Sequence, residues 1–150
     1  MNVPITFAHI FKRKNVKNSD NNHPHIKVLV DCGASKSIIC KNSILNNKCV
    51  KNTTTEWVTP SGKVTSNLMC KLVFSLPEFS NSRLITHNFH VMDEVLPGYH
   101  MIIGRDLMQL LKLDNKYSSD TLEWVGNREI PLKPPEAEKK HIFFLMIQLI

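Results

Sequence analysis

The residue types best suited to chemistry are Asp31 and the tight turn after it, Cys32-Gly33-Ala34-Ser35. The apolar residues 26–30 lead into the acid, so this pattern predicts a buried strand that delivers a carboxylate into a turn. Ionised carboxylates are seldom buried without a partner or a chemical task. Asp31 is therefore a candidate for acid–base chemistry, and the alternative is an acid that only caps a turn.

A second segment has the same design further along the chain. Residues 101–103 are apolar and precede Gly104, Arg105 and Asp106, and apolar side chains then recur at helical spacing up to residue 111. This pattern predicts a short strand, a glycine turn and a helix of one to two turns over residues 105–112. Both segments therefore place polar residues directly after a short apolar strand.

The elements around these segments are mostly predicted strands. Glu56-Trp57-Val58 and Lys63-Val64-Thr65 flank Thr59-Pro60-Ser61-Gly62, which is typical of a hairpin. Residues 42–52 are polar and predict an irregular segment. Further strands are predicted at residues 26–31, 37–40, 69–76, 84–92 and 101–103, and a terminal hairpin pairs 121–125 with 128–130. Many short strands and one short helix favour a small all-β, barrel-like domain.

The size and composition of the chain favour one globular domain. With 150 residues, 42% of them hydrophobic and 21% charged, the chain is long enough for a single modest core. Residues 26–133 are predicted to form this domain, after a flexible basic extension over residues 1–25. Residues 134–150 are predicted to be a linker and an apolar tail, which is too short to span a membrane. That tail is a strand, the start of a helix or an out-of-register segment.

Charge and cysteine content restrict the partners and the compartment. The net charge is +6, and binding to nucleic acid is expected only through the basic residues of 1–25. The four cysteines show no CxxC spacing and the sequence shows no signal peptide, which favours reduced thiols inside the cell. His23-Pro24-His25 is a weak metal motif that a surface turn explains better.

In this order, the two candidate segments resemble the retropepsin-like aspartic proteases, most closely those of gypsy-type LTR retrotransposon polyproteins. The resemblance covers about residues 26–133. It rests on the turn at 31–35, the hairpin Thr59-Pro60-Ser61-Gly62-Lys63 and the segment Tyr99-His100-Met101-Ile102-Ile103-Gly104-Arg105-Asp106-Leu107. It implies a small retropepsin-like (acid protease) barrel with one short C-terminal helix. It also implies an endopeptidase that cleaves polyprotein peptide bonds in the cytoplasm or in virus-like particles.

The resemblance further implies how the chemistry is divided. Two carboxylates about 3 Å apart share one proton, so the ionised acid takes a proton from water while the protonated acid donates to the scissile carbonyl. The chain carries a single such turn. Asp31 of a second copy must therefore supply the other acid, and the active form is a homodimer with its two-fold axis through the site. This mechanism needs no metal and no cofactor.

The resemblance also assigns roles to the neighbouring residues. Gly33 offers its N–H to the acid, Ala34 leaves room for substrate and Ser35 holds the turn. Trp57 either anchors the base of a mobile flap or packs on substrate. The other residues assigned to the flap and to substrate binding are Thr59, Pro60, Ser61 and Gly62. Those assigned to structural support are Gly104, Arg105 and Asp106, and Arg105 also braces the turn and the dimer contact.

Two positions depart from the pattern of the family. Cys32 stands where the family has Ser or Thr, and a thiol is a weaker donor and acceptor, so we expect a softer dimer contact. Ser35 stands where many retroviral members have an acid that pairs with the helix arginine. Arg105 must therefore bond another acceptor, either a backbone carbonyl or Asp106.

Three rival interpretations remain. The first is a catalytically silent, retropepsin-folded dimerisation module from a decayed or domesticated retroelement. The second is a basic nucleic-acid-binding domain, although no reader motif is present. The third uses Cys32 as a nucleophile and requires a histidine base, for which His87, His90 or His100 would have to lie close in space. For Trp124 the expected role is core packing.

Overall fold

The computed structural model describes residues 1–11, 25–44, 49–59, 62–93, 98–135 and 148–149. In chain order its elements are β1 (Ile5–Phe11), β2 (His25–Val30), β3 (Ile38–Cys40), a 3₁₀ turn (Lys41–Ile44), β4 (Cys49–Thr59), β5 (Gly62–Ser75), β6 (Ile85–Met92), β7 (Met101–Ile103), α1 (Arg105–Leu111), β8 (Leu113–Lys116), β9 (Thr121–Trp124), β10 (Arg128–Pro131) and β11 (Gln148–Leu149). Strands dominate the described residues, and α1 is the single α-helix among them.

The main sheet closes on itself. Its strand order is β1-β2-β7-β3-β6-β5-β4-β11, and β1 also pairs with β5. Because β1 bonds to both β2 and β5, the six strands β1, β2, β7, β3, β6 and β5 form a closed barrel, from which β4 and β11 extend. A three-stranded sheet, β10-β9-β8, follows the helix. The all-β, barrel-like fold predicted from the sequence is confirmed.

Apolar alternation along the strands builds the core of the barrel. On β5 the side chains of Cys70, Leu72 and Phe74 are buried, as the alternating pattern predicts. Trp124 on β9 lies in the same cluster and packs edge-on against Phe79, so its predicted packing role is confirmed. Each large apolar side chain buried in this way stabilises the fold by about 1.5–3 kcal/mol.

The predicted flexible extension over residues 1–25 is wrong for its first part. Residues 5–11 form β1, whose pairing with β2 runs from Ile5 opposite Leu29 to His9 opposite His25. Val3 bridges to Lys133, so the domain begins well before residue 26. Residues 5–11 are rich in apolar, β-prone side chains, but the polar, lysine-rich segment that follows them favoured an extension over a strand. Residues 12–24 lie outside the described residues.

Two other segments differ from the prediction. Residues 49–52, predicted to be irregular, belong to β4, whose polar side chains are exposed because the hairpin leaves the barrel. Strand β8 was not predicted, because Leu113-Asp114-Asn115-Lys116 contains a single apolar residue. Of the predicted linker and tail, only residues 134–135 and 148–149 are described, and residues 148–149 form a strand.

The structure also addresses membrane spanning and the thiols. Among the described residues there is no helix that is long and apolar enough to cross a membrane. The four cysteines, Cys32, Cys40, Cys49 and Cys70, are free thiols.

Candidate active site

The ends of β2 and β7 bring the two candidate segments together. These strands pair in parallel, with Val30 beside Ile103, and the N–H of Asp31 donates to the Ile103 carbonyl at 2.9 Å. The N–H of Arg105, at the start of α1, donates to the Ala34 carbonyl at 2.8 Å. The turn that carries Asp31 is therefore bonded to the second segment at both of its ends.

The carboxyl group of Asp31 is buried, and one of its two oxygens has a hydrogen-bond partner. The residue is 7% exposed. Its Oδ1 accepts the Gly33 N–H at 2.8 Å, the contact that the family resemblance assigns to Gly33. Its Oδ2 is buried and has no hydrogen-bond partner among the described residues. A buried carboxyl oxygen without a partner costs free energy, so Oδ2 is the atom at which a further group is expected to bond.

The surroundings of Asp31 favour its protonated form. Burial raises the pKa of Asp31 above its usual range, because removal from water disfavours the charged carboxylate. The Gly33 hydrogen bond and the positive charge of Arg105 act in the opposite direction, and burial outweighs both. A carboxyl group that keeps its proton at higher pH is suited to act as an acid.

The backbones of the two segments lie close together at Gly104. A Cβ added at Gly104 would lie 2.5 Å from the Lys36 carbonyl oxygen and 2.8 Å from the Ala34 carbonyl oxygen. Both are backbone atoms, and they cannot retreat unless the turn opens. The supporting role assigned to Gly104 therefore has a steric cause, which is close backbone approach.

Asp106 holds the far end of the turn against the helix. Its Oδ1 accepts the Ser37 hydroxyl at 2.8 Å, and its Oδ2 accepts the Ser37 N–H at 3.3 Å. The Ser37 hydroxyl oxygen in turn accepts the Gly104 N–H at 3.0 Å. On β6, His87 contacts the same carboxylate, with its Nε2 3.0 Å from Oδ2.

This bonding keeps Asp106 ionised. Burial by itself would raise the pKa of Asp106, but hydrogen bonds from His87, Ser37 and Leu107 outweigh it and lower the pKa to about 2. Neither Ser37 nor His87 was identified from the sequence. The available signal was the position of His87 on the buried face of β6, between Ile85 and Phe89, where a polar side chain needs a partner.

We expect the Asp106→Asn variant to lose part of the acid dependence of stability. The folded pKa of Asp106 lies below the ordinary value of 3.8, so its ionised form stabilises the fold above about pH 4, and this contribution disappears as the pH falls towards 2. Thermal unfolding from pH 7 to pH 2 should show a lower Tm for the variant at neutral pH and a smaller fall on acidification. The exposed Asp114→Asn variant is the control, and an unchanged pH profile in Asp106→Asn would contradict the argument.

Arg105 braces the turn through the backbone. The residue is exposed, and its Nη1 donates to the Cys32 carbonyl at 3.4 Å. Of the two acceptors expected in place of the missing acid at Ser35, the structure therefore shows the backbone carbonyl. Asp106 bonds to Ser37 and His87 instead.

Trp57 joins the upper part of the β4–β5 hairpin, two residues before Thr59, to the active-site turn. Its side chain is fully buried, in a cluster that includes Ala34 of the turn and Ile102 of β7. Its Nε1 donates to the Ser66 hydroxyl at 2.9 Å, and its ring packs edge-on against His90. Of the two expected roles, this burial favours an anchor over direct contact with substrate.

The predicted flap is a long hairpin in the structure. Strands β4 and β5 pair up to Thr59 opposite Gly62, and Gly62 has a φ of +126°, which favours glycine. The structure thus confirms the predicted hairpin, and Trp57 lies on its first strand. Pro60 and Ser61, which are assigned to substrate binding, lie outside the described residues, as does the side chain of Thr59.

Cys32 does not form the pair that a cysteine nucleophile needs. Its side chain is exposed, and among the described residues no hydrogen bond joins its thiol to a histidine. His87 bonds to Asp106, and His90 packs against Trp57. Because a nucleophilic thiol requires a base within hydrogen-bond reach, the structure does not support this interpretation.

The weak metal motif finds no support either. His25 begins β2, while His23 and Pro24 lie outside the described residues. In the described part of the chain, no three His, Cys, Asp or Glu side chains are grouped so that they could hold a metal ion.

The closed barrel with one short helix is a retropepsin-like fold, as two comparisons with known proteins show. A family model described as "Retroviral aspartyl protease" matches residues 8–114, which is more than half of the chain. The chain therefore belongs to the retroviral aspartyl protease (retropepsin) family.

Solved structures agree with this fold. The EIAV protease in complex with the inhibitor HBY-793 aligns with a TM-score of 0.52 and 19% identity, over 76% of this chain and 92% of that one. The retroviral protease-like domain of Ddi1 from Leishmania major aligns with a TM-score of 0.52 and 14% identity, over 89% of this chain and 96% of that one. No curated protein matched the sequence.

Proposed function

We propose that the chain is an aspartic endopeptidase whose active site is completed by a second copy. The observation that carries the proposal is the Asp31 carboxyl, with Oδ1 bonded to Gly33 and with Oδ2 buried and unpartnered among the described residues. A second Asp31 across a two-fold axis supplies the missing group, because two carboxyls at short distance share a proton. Family membership supports the same assignment.

The proposed reaction uses the two acids in different protonation states. The ionised Asp31 takes a proton from a water molecule, and the protonated Asp31 of the second copy donates to the scissile carbonyl oxygen as water attacks. The raised pKa of Asp31 supports the donor role. The pair titrates as a unit, so its pH–rate profile reports two macroscopic pKa values. The proposed substrate is an extended segment of a polyprotein, from a gypsy-type LTR retrotransposon, inside the cell.

Peptide cleavage should depend on protein concentration more steeply than for a monomeric enzyme. Each monomer holds one acid, so below the dissociation constant of the dimer a tenfold dilution should reduce the rate about hundredfold, by mass action. The measurement is digestion of a peptide library over a range of protein concentrations. Addition of excess Asp31→Asn chain should lower the wild-type rate, since mixed dimers contain one acid. A rate that stays proportional to concentration where sedimentation shows the chain to be monomeric would contradict the shared site.

A catalytically silent dimerisation module is the second candidate function. It is favoured by Cys32, whose thiol is exposed at the position where the family resemblance implies a hydroxyl, and a thiol is a weaker hydrogen-bonding group. This candidate predicts a concentration-dependent dimer that cleaves no peptide of the library. Sedimentation measured beside the digestion separates the two functions.

A further inference from the structure

The outer edge of β4 carries a strand that the proposed chemistry does not require. In β11, Gln148 pairs with Val58 and Leu149 pairs with Trp57, in antiparallel orientation. β11 therefore lies on the side of β4 that faces away from β5. An exposed strand edge presents unpaired backbone N–H and C=O groups, which readily take up a further strand.

The regular part of β4 sets the place at which the strand binds. The pairing of β4 with β5 shifts register between Lys51 and Thr55, and an irregularity of this kind bends a strand and interrupts its edge. From Thr55 to Thr59 the pairing is regular up to the tip of the hairpin. β11 pairs within this regular part, directly below the tip.

The part of β4 that pairs with β11 is linked to the active-site turn through Trp57. The backbone of Trp57 pairs with Leu149, while its buried indole lies in one cluster with Ala34 of the turn and Ile38 of β3. The indole is also bonded to Ser66 on β5, so both strands of the hairpin are fixed at this level. A strand added at Trp57 therefore acts on the part of the hairpin that packs against the turn of Asp31.

We infer that the outer edge of β4 is a strand-binding site, filled by the chain's own residues 148–149, and that this contact restrains the hairpin next to the active-site turn. Residues 142–150 supply the chemistry of the occupant, because they are apolar apart from Gln148 and contain no proline. A hairpin that admits an extended peptide must move, and additional backbone hydrogen bonds between β11 and β4 oppose that motion. The effect on cleavage rests on the proposed function, whereas strand binding itself does not.

Hydrogen exchange tests the contact without relying on activity. The full chain is used in the Asp31→Asn background, and the double substitution Gln148→Pro with Leu149→Pro removes both N–H groups of β11, including the one that faces β4. We expect the segment of residues 52–59, which contains the covered residues Trp57 and Val58, to exchange about tenfold faster in the proline variant, because the amide that faces β11 loses its partner. The matched control, Gln148→Thr with Leu149→Val, keeps both N–H groups and suits a strand, so it should exchange as the parent does.

Peptide cleavage tests the restraint. In the active full chain, the double proline variant should raise kcat/KM about three- to tenfold over the wild type and over the Thr/Val control, as expected when one or two net backbone hydrogen bonds are lost. A synthetic peptide of residues 141–150, added to the proline variant, should restore slow exchange at residues 52–59 and lower the rate again.

The outcomes separate this inference from the proposed function. If exchange at residues 52–59 is the same in the proline variant and in the control, the strand-binding site is refuted, whatever the chain cleaves. If exchange rises while no chain cleaves any peptide, the site stands and the protease function fails. If exchange rises and cleavage occurs at an unchanged kcat/KM, the restraint on the hairpin is refuted.

Discussion

The Asp31→Asn variant is expected to lose cleavage of every peptide that the wild-type chain cuts, by roughly 10²–10⁴-fold or more. An amide does not take a proton from water, and in a symmetric dimer the substitution removes both acids at once. The Gly33 N–H contact to Oδ1 is open to the amide oxygen as well, so the turn should keep its shape. The measurement is digestion of the same peptide library by the two chains side by side.

The thermal stability of the Asp31→Asn variant tests the raised pKa of Asp31 separately from cleavage. The pKa of Asp31 is raised by burial, so the folded chain binds its proton more tightly than the unfolded chain does. The ionised acid therefore costs stability, and the cost appears as the pH rises from about 4 through the raised pKa. Asp31→Asn should unfold at a higher temperature than the wild type at pH 7 and at a similar temperature at pH 3.

A control and a contrary result complete the test. Asp93 is exposed and directly follows β6, outside the turn of Asp31. Asp93→Asn therefore removes one acid without changing that turn. This variant should cleave as the wild type does. Cleavage by Asp31→Asn at the wild-type rate would show that the proposed acid is not used.

Gly104→Ala is expected to have the largest effect on folding. Its Cβ would lie 2.5 Å from the Lys36 carbonyl oxygen and 2.7 Å from the Lys36 carbonyl carbon, well inside contact distance. Relief requires that the turn of Asp31 separates from α1, so we expect a loss of about 3 kcal/mol in the free energy of unfolding. Urea unfolding measures this loss, and cleavage should fall with it because the Arg105-to-Ala34 backbone bond is displaced.

Gly126→Ala is the matched control for this substitution. Gly126 has a φ of +88°, and a Cβ added there meets no atom within 4 Å. The cost is then backbone strain alone, about 1 kcal/mol, and cleavage should stay at the wild-type level. Equal losses for the two alanine variants would show that close approach is not the reason for glycine at position 104.

The local pattern of apolar residues was sufficient to predict most of the strands and the helix. The alternation of Cys70, Leu72 and Phe74 predicted β5, and the apolar run before Gly104 predicted β7 and the helix after it. These predictions succeeded because residues that share one buried face of a strand or helix repeat with a fixed period. β1 was missed because a polar, lysine-rich segment follows its apolar residues, and β8 was missed because it contains a single apolar residue and is held by its pairing with β9.

By itself, the sequence determined that an acid would end a buried strand, that a glycine segment would follow and that one copy would hold one such turn. The tertiary structure alone decided that the Ser37 hydroxyl and His87 hold Asp106, that Trp57 packs on the active-site turn, and that β11 covers the edge of β4. The reason is physical: hydrogen bonds and packing join residues that chain connectivity does not bring together, and no local period records which partner each polar group finds.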